Sequence, residues 1–395
     1  MQRGGGISPE KFVSWVSPAL PSPSSLPLMK SIFLVFGFYA MALPSILSAQ
    51  DPSAGKPETV ADTPAPAAPT RSAAAKSIME AIAKNDAASA FRIATEGRAK
   101  GDPTCTYLLG QMYELGRGAP AVDVKQAFAL YEEAAKVGVP EALTATARCL
   151  ESGIGTPALP EKAMFYWQMA AEANDPPALG RMGQAELEGH YRPANQEAAL
   201  PWLEKAAAAK DPLGLWLLSR CYDTGLAGLT PSVEKAVNFC SQAAMAGQVD
   251  AMNRMGEFYA TARGLPGDPV AATGWFRLAA DYGHGPASAK LAICYLDGTG
   301  CRQNEALARE FAIKAAQLKN PRGSYLLGRI YDEGLGVAVD PVMGLAYHLR
   351  AMQAGLREAG TAAERLKSSL KPEDVQKAEK LAAQGGGQAA LPVTR

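Results

Sequence analysis

Residues 108–138 read LLGQMYELGRGAPAVDVKQAFALYEEAAKVG, and the ends of this stretch set the fold. Its closing alanine, Ala134, heads a column that continues through Ala170, Ala206, Ala243, Ala279, Ala315 and Ala351, at intervals of 36, 36, 37, 36, 36 and 36 residues. Four residues before each anchor stand Leu130, Tyr166, Trp202, Phe239, Trp275, Phe311 and Tyr347. Seven before it come Ala127, Ala163, Ala199, Ala236, Ala272 and Ala308, with Gly344 in the last unit. Offsets of zero, three and seven lie on one face of an α-helix, so each unit carries a stripe of small, large and small side chains. The small residues admit a neighbouring helix, and the aromatic is expected to fill the space beside them.

A second helix precedes this one in every unit. Its end is marked by Tyr113, Tyr222, Tyr259, Tyr295 and Tyr331, with Leu150 and Glu186 at the same place in units two and three. Three residues further on, Gly116, Gly153, Gly189, Gly225, Gly298 and Gly334 can adopt the left-handed conformation that stops a helix. Ala262 interrupts that column. Asp268-Pro269 and Asp340-Pro341 then supply an N-cap and a proline at the first helical position. Each unit is a helix, a glycine-containing loop and a second helix. Repetition at a fixed period of this kind is the mark of a solenoid.

These residues resemble the Sel-one-like repeat (SLR) family, a relative of the tetratricopeptide repeat. The pattern of LG, Y, G and a later aromatic with a KAA-type ending is read in LLGQMYELGRG (108–118) with YEEAAKVG (131–138), and again in LLGRIYDEGLGV (326–337). Tetratricopeptide units recur every 34 residues, whereas these recur every 36 or 37. The resemblance implies an all-α, right-handed α/α superhelical solenoid of about seven SLR helix pairs over 102–355, with helical caps. The units fall near 102–138, 139–174, 175–210, 211–247, 248–283, 284–319 and 320–355. Residues 74–101 resemble a degenerate N-terminal capping pair, and 356–384 the closing helices of such arrays. The family's usual Thr before the closing proline is Lys371 here.

Composition bounds the function. Lys plus Arg and Asp plus Glu are each 39, so no bulk positive field draws nucleic acid or anionic lipid. From Met29 the chain reads MKSIFLVFGFYAMALPSILSAQ, a lysine, an apolar run and small residues before Gln50, which resembles a secretory signal peptide over 29–49 with the cut expected after Ala49. Residues 1–28 are expected to be an upstream mis-start, 50–73 a Pro/Ala-rich linker, and 385–395 a disordered tail. The apolar run of about 12 residues is short for a membrane span. No cysteine follows it as a lipid anchor would require. The expected location is periplasmic or secreted.

Catalytic chemistry finds little support. His190, His284 and His348 lie in three different units without ligand spacing, and no metal or cofactor motif is present. GRG at 116–118, GIG at 153–155 and GTG at 298–300 follow helices rather than strands, so they are helix stops and not phosphate loops. Of the six cysteines, Cys149, Cys221 and Cys294 share a column that suggests packing. Pairing of Cys221 with Cys240, or Cys294 with Cys301, is open, with buried free thiols preferred. Cysteine-rich relatives bridge each unit with cysteines eight residues apart; the resemblance gives only Cys105 half of that pattern, opposite Gly97.

The functional candidates are polar. Gln111, Arg148, Gln184, Arg220, Glu257 and Arg329 stand two residues before the Tyr position, interrupted by Ile293. On the concave side of stacked hairpins they would form a ladder for a protein or peptide partner, or else an ordinary solvated face. The resemblance implies an exported scaffold for protein–protein interaction in the cell envelope. The alternatives are an envelope hydrolase acting on peptidoglycan fragments or β-lactams, and a chaperone-like holder of unfolded chains.

Overall fold

The computed structural model describes residues 72–189 and 193–384. The expected signal peptide, almost all of the linker, the tail and His190 lie outside them. The described residues form α-helices without any strand. A first pair, α1 (Ala73–Ala83) and α2 (Ala87–Ala99), leads into seven hairpins. These are α3 (Pro103–Leu115) with α4 (Val124–Ala135), α5 (Pro140–Ser152) with α6 (Pro160–Glu172), and α7 (Pro176–Glu188) with α8 (Gln196–Ala208). They continue as α9 (Pro212–Thr224) with α10 (Val233–Met245), α11 (Val249–Ala260) with α12 (Pro269–Asp281), α13 (Gly285–Asp297) with α14 (Glu305–Gln317), and α15 (Pro321–Glu333) with α16 (Pro341–Gln353). Helices α17 (Glu358–Ser369) and α18 (Pro372–Gln384) close the stack.

The helix boundaries follow from local chemistry. Asp268 accepts hydrogen bonds from the backbone N–H groups of Val270 and Ala271, and Asp340 from that of Met343, so each caps the helix whose first residue is proline. Six of the seven first helices stop at a left-handed glycine, with φ between 65° and 77°. After α11 the corresponding Ala262 also turns to positive φ, at 52°, without the freedom glycine has.

Both alanine columns are buried, from Ala134 to Ala351 and from Ala127 to Ala308. The aromatic column behaves otherwise. Leu130, Phe311 and Tyr347 are buried, but Tyr166, Trp202, Phe239 and Trp275 are only half-buried, so they flank the hairpin seam instead of filling it. The filling is done by the next residue along: Tyr131, Trp167, Leu203, Cys240, Phe276, Ala312 and His348 are all buried.

Opposite that column, each first helix offers Gly110, Ala147, Gly183, Ser219, Gly256, Ala292 or Gly328. A Cβ added at Gly256 would lie 2.5 Å from the Phe276 ring, and one at Gly328 2.6 Å from that of His348. Glycine is there because the partner ring occupies the space a side chain would need.

Hairpins stack on one another in order. First helices approach the next first helix directly, as in α7 with α9 and α13 with α15, and within the seven hairpins no second helix comes comparably close to the next second helix, although α16 packs against the closing helix α18. The first-helix side is therefore the inner side of the curve. The second glycine of each GxG loop fastens the stack from the loop end: a Cβ at Gly155 would sit 2.0 Å from the carbonyl oxygen of Val124 in the preceding unit, and one at Gly300 1.9 Å from that of Pro269.

Candidate protein-binding face

The inner face is built from side chains on consecutive first helices, and most of them reach across a junction between units. Arg148 on α5 grips Glu114 on α3 with two bonds, Nη1 to Oε1 at 2.8 Å and Nη2 to Oε2 at 2.7 Å. The Tyr131 hydroxyl donates to the same carboxylate at 2.6 Å. The pattern repeats: Arg181 on α7 pairs with Glu151 on α5, and Arg220 on α9 with Glu188 on α7 at 2.7 Å. Farther along, Arg254 on α11 pairs with Asp223 on α9, Lys290 on α13 with Glu257 on α11, and Arg365 on α17 with Asp332 on α15.

Four of the six polar candidates take part in this ladder. Arg148, Arg220 and Glu257 are rungs; Gln184 accepts from Arg181 at 2.6 Å and donates to Glu188 at 2.9 Å. The other two bond within their own helix, Gln111 to the Tyr107 hydroxyl at 2.7 Å and Arg329 to Glu333 at 3.0 and 3.2 Å. Where Ile293 interrupts the column, no ion pair joins α13 to α15 among the described residues. The acids Glu114, Glu151, Asp223 and Asp332 each sit one residue after the Tyr position, a column readable in the sequence but not singled out there.

Electrostatics on this face is close to balanced. Burial opposes ionisation of Glu257, but hydrogen bonds from Lys290 and Arg254, with their charges, overcome it and hold the carboxyl below the usual range. Exposed ion pairs of this sort stabilise by only about 0–1 kcal/mol each, so the ladder sets register more than it adds stability. In the Glu114–Arg148 pair Glu114 is only 7% exposed, so removing Arg148 would leave a buried charge without its partner.

The thiols are free and mostly enclosed. Cys105, Cys149, Cys221, Cys240 and Cys294 are buried and Cys301 half-buried. Burial pushes Cys149 and Cys221 up to about 11, and Cys105 and Cys240 to about 12, which leaves neutral thiols rather than nucleophilic thiolates. Cys301 donates to the Cys294 carbonyl oxygen at 3.5 Å. Cys105 does face Gly97: a Cβ there would come within 2.4 Å of its sulfur, so this chain has glycine where bridged relatives would place the second cysteine. His284 spends both ring nitrogens locally, Nδ1 on the Ala287 N–H at 3.1 Å and Nε2 against Asp250 at 3.3 Å. Among the described residues no three His, Cys, Asp or Glu side chains converge as a metal site would need.

The geometry is thus a line of near-identical hairpins, and the family model for the Sel1 repeat matches all seven, at 103–139, 140–175, 176–211, 212–248, 249–284, 285–320 and 321–356. The chain belongs to the Sel1 repeat family. The protein NMB1327 of Neisseria meningitidis serogroup B is 34% identical over 140 residues, 35% of this chain and 29% of that protein. Chitin synthase regulatory factor 3 of Schizosaccharomyces pombe is 29% identical over 267 residues, 65% of this chain and 28% of that protein. The matches thus span less than a third of either relative's length.

Solved Sel1 and SLR structures have the same architecture. The protective antigen c5321 of uropathogenic Escherichia coli, which displays an SLR fold, superposes with a TM-score of 0.64 at 24% identity, over 78% of this chain and 68% of that one. A Sel1 repeat protein from Oxalobacter formigenes gives a TM-score of 0.51 at 27% identity, over 70% of this chain and 80% of that one.

Proposed function

We propose that this Sel1 repeat chain is an exported, non-catalytic scaffold that holds a protein or peptide partner in the bacterial envelope along the inner face of its first helices. One observation carries the reading: the polar side chains of that face recur in phase over the repeats, on helices fixed to one another by packing and by ion pairs. A pre-ordered surface of that length lowers the entropic cost of association, which is what a scaffold needs. The yeast relatives named as chitin synthase regulators are regulators of an enzyme, which supports binding rather than turnover as the common theme. Export rests on the leader-like segment at 29–49.

The test follows from the ladder. Arg148 holds two units together, so its replacement would disturb the stack; Arg220 is a more exposed rung, and Arg329, bonded only within its own helix, is equally exposed. Crosslinking in intact cells is expected to capture a stoichiometric partner with the native chain, and at least tenfold less with the double variant Arg220→Gln, Arg329→Gln, at unchanged helicity. Turnover of nitrocefin or muropeptides by the purified chain, or partner yields indifferent to both substitutions, would overturn the reading.

A further inference from the structure

The inner-face ladder is uneven, and the excess charge falls in one place. At other junctions one base answers one acid, as Arg148 answers Glu114 and Arg365 answers Asp332. Across α9, α11 and α13, three cations, Arg254, Arg263 and Lys290, meet two carboxylates, Asp223 and Glu257. The surplus cation is Arg263. It is carried by the loop after α11, directly behind Ala262, which holds a positive φ that an L side chain rarely adopts.

Arg263 is placed but only partly spent. Its Nη2 forms an ion pair with Asp223 Oδ1 at 2.7 Å, and that one contact leaves the remaining N–H groups of the guanidinium available. No other side-chain or backbone oxygen among the described residues accepts from the Arg263 guanidinium, which is 43% exposed. Arg254, by contrast, is committed to Asp223 and Glu257 and lies over the Phe258 ring at 4.8 Å. Beside these groups opens a hollow of about 530 Å³ bounded by Arg254, Glu257, Phe258, Thr261, Ala262 and Arg263, within the size range of ligand sites.

We propose that this hollow receives a carboxylate of an acidic segment in the partner, with the N–H groups of Arg263 that Asp223 leaves open as its recognition group; the assignment rests on the reading that the inner face binds protein. A guanidinium with unused parallel donors suits a planar carboxylate. The ionised Glu257 in the wall sets the limit on charge: the cluster carries one net positive charge, enough for a carboxylate and too little for a phosphate dianion. Thr261 donates its hydroxyl hydrogen to the Glu257 carbonyl oxygen at 2.7 Å, which leaves its oxygen to accept a peptide N–H.

Fluorescence anisotropy with the full chain tests it, using labelled acetyl-Gly-Glu-Gly-Glu-Gly amide and its glutamine counterpart as probes. The Glu peptide is expected to bind and the Gln peptide to bind at least tenfold more weakly. R263A should weaken the Glu peptide at least tenfold and R263K partly restore it. R117A, the same loop position in the first unit, should leave it unchanged. Equal binding of the two peptides, an equal loss with R117A, or no loss with R263A overturns the site. Normal capture of the cellular partner by R263A overturns it too, and leaves the scaffold reading standing.

Discussion

Two seams hold this array together, and they use opposite physics. Within a hairpin, the first helix is emptied at one position so that the second can fill it, as Gly256 yields to Phe276 and Gly328 to His348. Between hairpins, the first helices meet through carboxylates, guanidiniums and N-cap side chains, as in Glu114 with Arg148 and Asp175 with the Thr144 hydroxyl at 2.6 Å. The seam within a hairpin tolerates almost no change of volume. The seam between hairpins tolerates a change of partner or of offset, because long charged side chains reach over a turn of helix. The fold is specified by the first, and the surface offered to other molecules by the second.

The largest expected effect comes from filling the emptied side. Gly256→Val would bring a Cβ to 2.5 Å from the Phe276 ring and add two methyl groups beyond it. The expected cost is about 3–5 kcal/mol, at the upper end of overpacking. Since the change falls in the fifth of seven units, denaturant unfolding followed by circular dichroism should split into two transitions as nearest-neighbour coupling fails in mid-array. A single transition at the native midpoint would show that the seam is softer than the contact implies.

The hairpin seam also contains one polar misfit. His348 is fully buried with neither ring nitrogen hydrogen-bonded, against Gly328 and with the Tyr325 ring at 5.5 Å. Burial lowers it to about 4, from an ordinary 6.5, with Asp332 and Glu333 raising it and Arg365 and Arg329 lowering it. Between those two values the unfolded chain takes up a proton the folded chain refuses, so stability falls as pH drops from 6.5 through 4. The loss is on the order of 3 kcal/mol. His348→Phe, which copies the Phe276 and Gly256 arrangement, should flatten that slope and raise stability at pH 5. A variant with the native pH profile would assign the slope to other groups.

How far these seams could be read in advance follows from their periodicity. The alanine columns, the helix-stopping glycines and the capping aspartates recur in phase, because steric fit and backbone conformation leave one residue class at one place. Spacing identified the hairpins and their order for that reason. It misassigned the filler, since half-buried Trp202 and buried Leu203 are neighbours in sequence and only the Gly183 contact distinguishes them. The ladder was legible only in part. Arg148 lies two residues before the Tyr position and Arg181 five before it, yet both reach an acid of the preceding unit. A column search finds one offset and overlooks the other, so Gln184 was read as a rung in its own right when it bridges Arg181 and Glu188.

The smallest expected effect belongs to the seam between hairpins and carries the opposite sign with pH. Asp211 caps α9 with a 2.7 Å bond from the Gly214 N–H and lies against Gly180 of α7, where a Cβ would come within 2.2 Å of its carboxylate. Burial pushes it up to about 6, against the Gly214 hydrogen bond and helped by the charge of Asp175. Here the folded chain keeps a proton that the unfolded chain releases above about 3.8, so the contribution is full below that value and is lost as pH rises through 6. Asp211→Asn retains the cap acceptor and removes the buried charge; it should raise stability at pH 7 by about 1–2 kcal/mol and have little effect at pH 4. Thermal melts of the two chains at both values measure it. An equal shift at pH 4 and pH 7 would mean that the amide acts through packing, and that the charge of Asp211 is already compensated across the junction.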